Sequence, residues 1–155
     1  MLICASLSGV TIMQDKLLKS GGALDKLAVL DPDIADAVKK FGPPADRSLP
    51  ANFDTLARAI IGQQISRAAA AAIWHRMKKQ NTEKPDIIVA MPVEQVMQAG
   101  LSRRKAEYLI GIADEITSGR LNLDALHQLP GDEVQKRLIE IRGIGAWTAD
   151  NFRLF

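Results

Sequence analysis

The sequence predicts an all-α fold, a compact helical domain that ends in a helix, a tight hairpin and a second helix. Three observations support this prediction. No useful strand-like alternation appears between residues 24 and 155, apolar residues recur at spacings of three and four, and cap residues precede several of these runs. About eight helices with short loops are expected. With 155 residues, 47% of them hydrophobic, the chain is long enough for one core.

Cap residues indicate where the first helices begin. Asp31 before Pro32 predicts a helix that runs to Phe41, where a Gly-Pro-Pro sequence breaks it. Asn52 is predicted to cap the next helix. Ser66 is predicted to cap the one after it, following a break at residues 62–64.

Apolar spacing predicts which side chains are buried. One helical face is expected to comprise Ile61, Ile65, Ala68, Ala72 and Arg76. Another comprises Ala106, Leu109, Ala113 and Ile116. The aromatic residues expected in the core are Phe53, Trp74 and Tyr108. The basic residues expected to be solvated at helix ends are Arg76, Lys78, Lys79, Arg103, Arg104 and Lys105.

Residues 131–155 predict the two helices and their hairpin. Val134 and Leu138 share one helical face, and Gly143 and Gly145 bracket Ile144, so the backbone can turn tightly with φ > 0 at two points. Free N–H groups at the turn and the positive end of the second helix suit one phosphate group, as in a grip on DNA that reads no sequence. The alternative is an ordinary turn between helices.

Three segments, in order, resemble one known family. They are Ile-Arg-Gly-Ile-Gly-Ala-Trp-Thr-Ala-Asp (141–150), the Gly-Gln-Gln-Ile-Ser sequence within Phe53–Met77, and Gly-Leu-Ser-Arg-Arg-Lys-Ala within Ala99–Ala113. Together they are similar to the helix-hairpin-helix DNA glycosylase superfamily, in its 3-methyladenine DNA glycosylase II type. The resemblance covers roughly residues 49 to 155.

The resemblance implies base excision repair: monofunctional hydrolysis of the N-glycosidic bond of alkylated bases such as 3-methyladenine. The expected partner is damaged double-stranded DNA, bound by a monomer in the cytoplasm, with the nucleoid if the protein is bacterial. One alternative is a non-catalytic helix-hairpin-helix module that binds DNA. Another is a helical protein–protein interaction domain whose hairpin is only structural.

Two side chains are assigned to the damaged base. Gln64 stands where related glycosylases insert a wedge into the emptied stack, although an alternative is capping at the Gly62 break, which Gln63 fits better. Trp147 stands where bifunctional relatives have a catalytic lysine. An indole forms no Schiff base, but its π-face can attract a cationic alkylated base in a base pocket. Core packing of Trp147 is the alternative.

Backbone groups of the hairpin are assigned to the DNA strand. The N–H groups around Gly143, Gly145 and Trp147 are the predicted phosphate grip. The resemblance also implies that a monovalent cation could be coordinated by the main-chain carbonyls of Ile139, Ile141 and Ile144.

The catalytic group of the family is an aspartate that supports a cationic, oxocarbenium-like sugar or orients the attacking water. By motif position it lies in the loop after the helix that Ala146 begins, which places it beyond Phe155. Asp150 does not match that position. The chain as given is therefore expected to be truncated before the aspartate and inactive.

Composition narrows the remaining possibilities. The single cysteine, Cys4, cannot form an internal disulfide, a zinc site or an iron–sulfur cluster, which disfavours the endonuclease III branch. His75 and His127 have no partner at metal-ligand spacing, and no cofactor is expected other than the cation. The net charge of +2 neither supports nor excludes DNA, and no apolar run approaches membrane-spanning length. Residues 1–20 are expected to be a disordered extension, with Met13 an alternative start, and residues 21–155 a single domain.

Overall fold

The computed structural model describes residues 22–45, 49–126 and 128–154. Contacts divide the chain into two compact units, residues 1–50 and 51–155, which are described separately. The predicted extension at residues 1–20 lies outside the described residues, and the single domain at 21–155 stays a prediction. Every regular element in the described ranges is an α-helix, which confirms the predicted fold class.

The first unit contains two helices that pack on each other, α1 (Ala23–Leu30) and α2 (Pro32–Phe41). The Asp31 carboxylate accepts a hydrogen bond from the Asp33 N–H at 2.9 Å, so the predicted cap is present. Helix α2 ends at Phe41, immediately before a glycine with φ of 78°. Both predicted bounds of this helix are confirmed.

The second unit contains α3 (Phe53–Gly62), α4 (Arg67–Lys79), α5 (Pro85–Ile88), α6 (Val93–Met97), α7 (Arg103–Thr117), α8 (Leu123–Leu126), α9 (Gly131–Ile139) and α10 (Ala146–Leu154). Helix α7 is central, since α3, α5 and α6 all pack against it, and α10 packs on both α9 and α3. The described ranges thus hold ten helices against about eight expected. The short helices α5, α6 and α8 are too brief for apolar periodicity to reveal them.

Side-chain caps fix the start of α3 and α4. The Asn52 Oδ1 accepts from the Thr55 N–H at 3.0 Å, and the Ser66 Oγ accepts from the Ala69 N–H at 3.2 Å. Helix α3 ends at Gly62, so the predicted break between the two helices is confirmed.

The predicted buried face is confirmed at Ile61, at the end of α3, and is wrong in α4. Ala68 and Ala72 are exposed, and the residues that α4 buries are Ile73, Trp74 and Met77. The run of five alanines offers no contrast between faces, so spacing alone could not orient the helix, and the large side chains near its C-terminal end decide its orientation. Arg76 is not simply solvated, because its Nε donates to the Ala99 carbonyl at 2.7 Å.

The predicted face of α7 is confirmed. Its buried residues include Ala106, Leu109 and Ala113, and Ile116 packs against the core half-buried. Phe53 and Trp74 are in the core as predicted, while Tyr108 is half-buried against it. Within the described ranges, no helix combines the length and apolarity needed to cross a bilayer.

Candidate nucleic-acid interface

The hairpin between α9 and α10 turns at one glycine. Gly143 has φ of 100°, in the left-handed region that side chains with a Cβ avoid, whereas Gly145 is outside this region. The expectation of two positive-φ positions is therefore wrong. Ile144 lies between the two glycines and is buried, so it anchors the turn to the core as its spacing predicted.

The two glycines have different surroundings. A Cβ on Gly143 would overlap the ring of Tyr108, so the protein's own packing requires glycine there. A Cβ on Gly145 would meet nothing within 4 Å. The space beside Gly145, next to the first turn of α10, is therefore open to a ligand.

Polar contacts tie the two hairpin helices together. The Gln135 Nε2 donates to the Asp150 carboxylate at 2.8 Å, and the Arg153 Nη1 donates to the Gly131 carbonyl at 2.9 Å. Asp150 thus has a structural partner on α9, which agrees with assigning it no catalytic role. These two contacts join α9 to α10 on either side of the hairpin.

Gln63 connects the loop after α3 to this hairpin. Its Nε2 lies 3.3 Å from the Gly143 carbonyl and 3.2 Å from the Thr148 Oγ1, and Thr148 is buried on α10. Gln63 is also the C-cap residue, the first residue after the end of α3 at Gly62. The loop that carries Gln64 is therefore fixed beside the hairpin.

Gln64 is exposed and has φ of 59°. A residue other than glycine in this region carries a strain of about 1–2 kcal/mol, which the surrounding structure must offset. With its backbone in this conformation and its side chain exposed, Gln64 is free to contact a ligand.

Lys105 supports the same loop from α7. Its Nζ donates to the carbonyls of Ile61 at 2.8 Å and Gln63 at 2.7 Å, which caps the C-terminal end of α3. Burial lowers the pKa of Lys105 below its usual value. The expectation that Lys105 is only part of an exposed first turn is wrong.

The neighbours of Lys105 behave as predicted. Arg103 is exposed and pairs with Glu94 at 2.6 Å, and Arg104 is exposed. The hydrogen bond from Arg103 lowers the pKa of the Glu94 carboxyl. The sequence distinguishes Lys105 from these neighbours in one way only. Lys105 is the lysine of the Gly-Leu-Ser-Arg-Arg-Lys-Ala segment that carries the family resemblance.

Replacing Lys105 with methionine is expected to lower the free energy of unfolding by about 1–2 kcal/mol, because two carbonyls at the end of α3 lose their donor. Urea denaturation followed by circular dichroism measures this loss. Arg104→Met removes the same charge from the neighbouring exposed position and is expected to change stability by less than about 0.5 kcal/mol. Equal effects of the two changes would mean that Lys105 does not support the loop.

Trp147 lies in the first turn of α10 and is 71% exposed. Core packing, the alternative interpretation, is therefore wrong. The indole of Trp147 is therefore accessible from solvent, two residues after the open space at Gly145.

The three carbonyls proposed for a cation belong to the end of α9 and the turn. Ile139 is the last residue of α9, and the Ile141 carbonyl accepts from the Ile144 N–H at 3.0 Å. A carbonyl oxygen has two lone pairs, so this bond leaves capacity for an ion. The negative end of the α9 dipole also favours a cation.

In the described part of the chain, the side chains give little support for a site that binds any other metal ion. In that part, no three His, Cys, Asp or Glu side chains form a group that could hold a metal ion. His75 is exposed, and His127 lies outside the described residues.

Known proteins are similar to this chain in sequence. The family described as "HhH-GPD superfamily base excision DNA repair protein" matches residues 57–149. A DNA-3-methyladenine glycosylase of Bacillus subtilis is 28% identical over 81% of this chain and 46% of its own length. The chain spans 39–47% of the curated relatives it matches.

Solved structures give the same result. A DNA-3-methyladenine glycosidase of Bacillus halodurans is similar with a TM-score of 0.76 and 31% identity, over 86% of this chain and 64% of that one. A 3-methyladenine DNA glycosylase of Schizosaccharomyces pombe, in complex with abasic DNA, has a TM-score of 0.66 and 33% identity, over 83% and 66% of the two chains. The family match covers more than half of the sequence, including the loop of Gln64 and the hairpin, and the chain belongs to the HhH-GPD superfamily of base excision DNA repair proteins.

Proposed function

We propose that this domain acts in the removal of alkylated bases such as 3-methyladenine from double-stranded DNA, by monofunctional hydrolysis of the N-glycosidic bond. The observation that carries the proposal is the pair of hydrogen bonds from Gln63 to the hairpin, because they hold the loop of the exposed Gln64 against the hairpin that carries Gly145. A wedge and a phosphate grip then belong to neighbouring parts of one surface. The relatives named above bear the names of 3-methyladenine DNA glycosylases or glycosidases.

The grip consists of backbone N–H groups around Gly143, Gly145 and Trp147. A phosphate oxygen placed at the start of α10 accepts these groups and meets the positive end of the helix dipole. The space at Gly145 lets the DNA backbone approach closely. This contact reads no base, so it positions the strand and leaves recognition to the lesion site.

The lesion site combines Gln64 and Trp147. Gln64 fills the gap left by the extruded base, and its amide can bond the orphaned partner base. The exposed indole of Trp147 attracts a cationic alkylated base by about 0.5–2 kcal/mol, which a neutral normal base lacks. A tryptophan in place of a lysine also agrees with hydrolysis rather than strand cleavage through a Schiff base.

A monovalent cation on the carbonyls of Ile139, Ile141 and Ile144 would strengthen the hold on a phosphate by adding positive charge at the hairpin. Hard oxygen donors at a helix C-terminus suit such an ion. No catalytic carboxylate is assigned within the described residues. Base excision is accordingly a proposal for the whole protein, which acts on damaged duplex DNA as a monomer in the cytoplasm, with the nucleoid in a bacterium.

Duplex binding tests the grip in the chain itself. Gly145→Val is expected to weaken binding to an abasic-site duplex at least about tenfold, or about 1.4 kcal/mol, since the side chain fills the space that the phosphate needs. Arg142→Ala, which removes an exposed charge near the turn, is the control and is expected only to flatten the salt dependence slightly. Fluorescence anisotropy measures both. Equal affinity of wild type and folded Gly145→Val would favour a protein–protein interaction domain.

Excision is tested in a chimera, because the chain spans 64% of the Bacillus halodurans protein. The chimera is this chain followed by the segment of that protein that comes after the matched region. We expect it to release 3-methyladenine from methylated DNA, measured by chromatography of the free base. Tight binding of damaged duplex without release would favour the alternative, a non-catalytic DNA-binding module.

A further inference from the structure

A groove of about 510 Å³ lies between α3 and α4 in the second unit. Its charged and titratable lining residues are Arg58, Arg67, His75 and Lys78, and none of the described residues that line it is a carboxylate. Trp74 lies in its wall. The groove therefore has the charge expected of a site for an anion.

Two of these cations converge on one ring. The Arg58 Cζ lies 5.0 Å from the centroid of Trp74, and the Lys78 Nζ lies 5.9 Å from it. Neither cation has a carboxylate within 4.0 Å among the residues that the structure describes. Each cation rests on the ring without a carboxylate from the described residues to neutralise it, so both charges are available to an anion.

The indole of Trp74 provides a second, independent observation. Trp74 is only 6% exposed, and its buried Nε1 has no hydrogen-bond acceptor within the described part of the chain. A buried indole N–H normally has a partner. The wall of the groove therefore holds one donor that the described residues leave unpaired.

The groove lies next to the loop of Gln63 and Gln64, and this position indicates which anion it binds. Gly62 and Ile65, which flank Gln63 and Gln64, line it together with the basic residues. From Arg67 to Lys78, α4 extends for about 16 Å at 1.5 Å per residue. That length equals about five base-pair steps along the DNA axis, at 3.4 Å each.

We infer that this groove is a second DNA-backbone site, which binds the phosphates of a strand that leaves the wedge loop. The inference rests on the proposed function, since it takes Gln64 as the wedge. Arg58 and Lys78 neutralise the phosphates, and the contact reads no base sequence. The hairpin and the groove would then hold the DNA on two sides of the inserted side chain.

The test uses the whole chain and its affinity for an abasic-site duplex across a series of salt concentrations. The double variant Arg58→Gln, Lys78→Gln is expected to reduce the slope of log K against log salt by about two, with about 0.9 lost per phosphate contact. Lys79→Gln is the matched control: it removes the same charge from the next residue of α4, which does not line the groove. An unchanged slope in the double variant, or an equal loss from Lys78→Gln and Lys79→Gln, would overturn the inference.

The Gly145→Val variant separates this inference from the proposed function. If Gly145→Val weakens binding and the double variant does not change the slope, the hairpin grip stands and the groove is not a DNA site. If the double variant flattens the slope while Gly145→Val binds like wild type, the groove binds DNA and the hairpin proposal fails. Circular dichroism on each variant confirms that the fold is retained.

Discussion

Replacing Gly143 with alanine is expected to lower the free energy of unfolding by about 2–5 kcal/mol, because two costs act at one position. An alanine with φ of 100° is strained. Its Cβ would also overlap the ring of Tyr108, which packs against the core and cannot retreat without disturbing it. Urea denaturation, followed by far-ultraviolet circular dichroism, measures the loss.

Gly145→Ala is the matched control for this change. Its Cβ would meet nothing within 4 Å, and its backbone is outside the left-handed region, so we expect a loss below about 1 kcal/mol. Similar losses at the two positions would contradict the steric account of the hairpin. If the two losses in the free energy of unfolding differ as expected, the fold requires glycine at Gly143. It does not require glycine at Gly145, which remains accessible to DNA.

Local signals explain what could be predicted from the sequence. The caps at Asn52 and Ser66 depend on residues within three positions, and the buried pair Val134 and Leu138 depends on spacing within one helix. The Gly-x-Gly pattern predicted the hairpin. It could not show that only Gly143 takes positive φ, or that Tyr108, 35 positions earlier in the sequence, packs where a Cβ on Gly143 would lie.

The parts of the candidate site that were missed depend on distant contacts. Lys105 caps the end of α3 from 42 residues away, and Gln63 bonds Gly143 from 80 residues away. Neither contact leaves a periodic trace in the sequence. The basic groove was missed for the same reason, since Arg58 and Lys78 belong to different helices and appear close only once α3 and α4 pack.

Gln64→Ala in the chimera is expected to reduce excision from duplex DNA on the order of tenfold, about 1.4 kcal/mol, and excision from single strands by much less. Only a duplex leaves a stacked gap that a wedge must fill. The backbone of Gln64 is already held by Lys105 and by the bonds of Gln63, so alanine removes the inserted side chain without freeing the loop. Gln95→Ala, at another exposed glutamine, is the control and should change neither rate.

Trp147→Ala in the same chimera is expected to change the relative excision rates of different lesions. It is not expected to change the preference between duplex and single-stranded DNA. If the exposed indole attracts a cationic base, excision of 3-methyladenine should fall more than excision of neutral hypoxanthine, by about 1 kcal/mol or fivefold in rate. Trp147→Phe retains a weaker π-face and should lose less. Steady-state rates for both lesions, each in duplex and single-stranded DNA, separate the two roles. Uniform losses across all four substrates would show that Gln64 and Trp147 only support the fold, because a wedge acts on duplex DNA and a cation–π contact acts on charged bases.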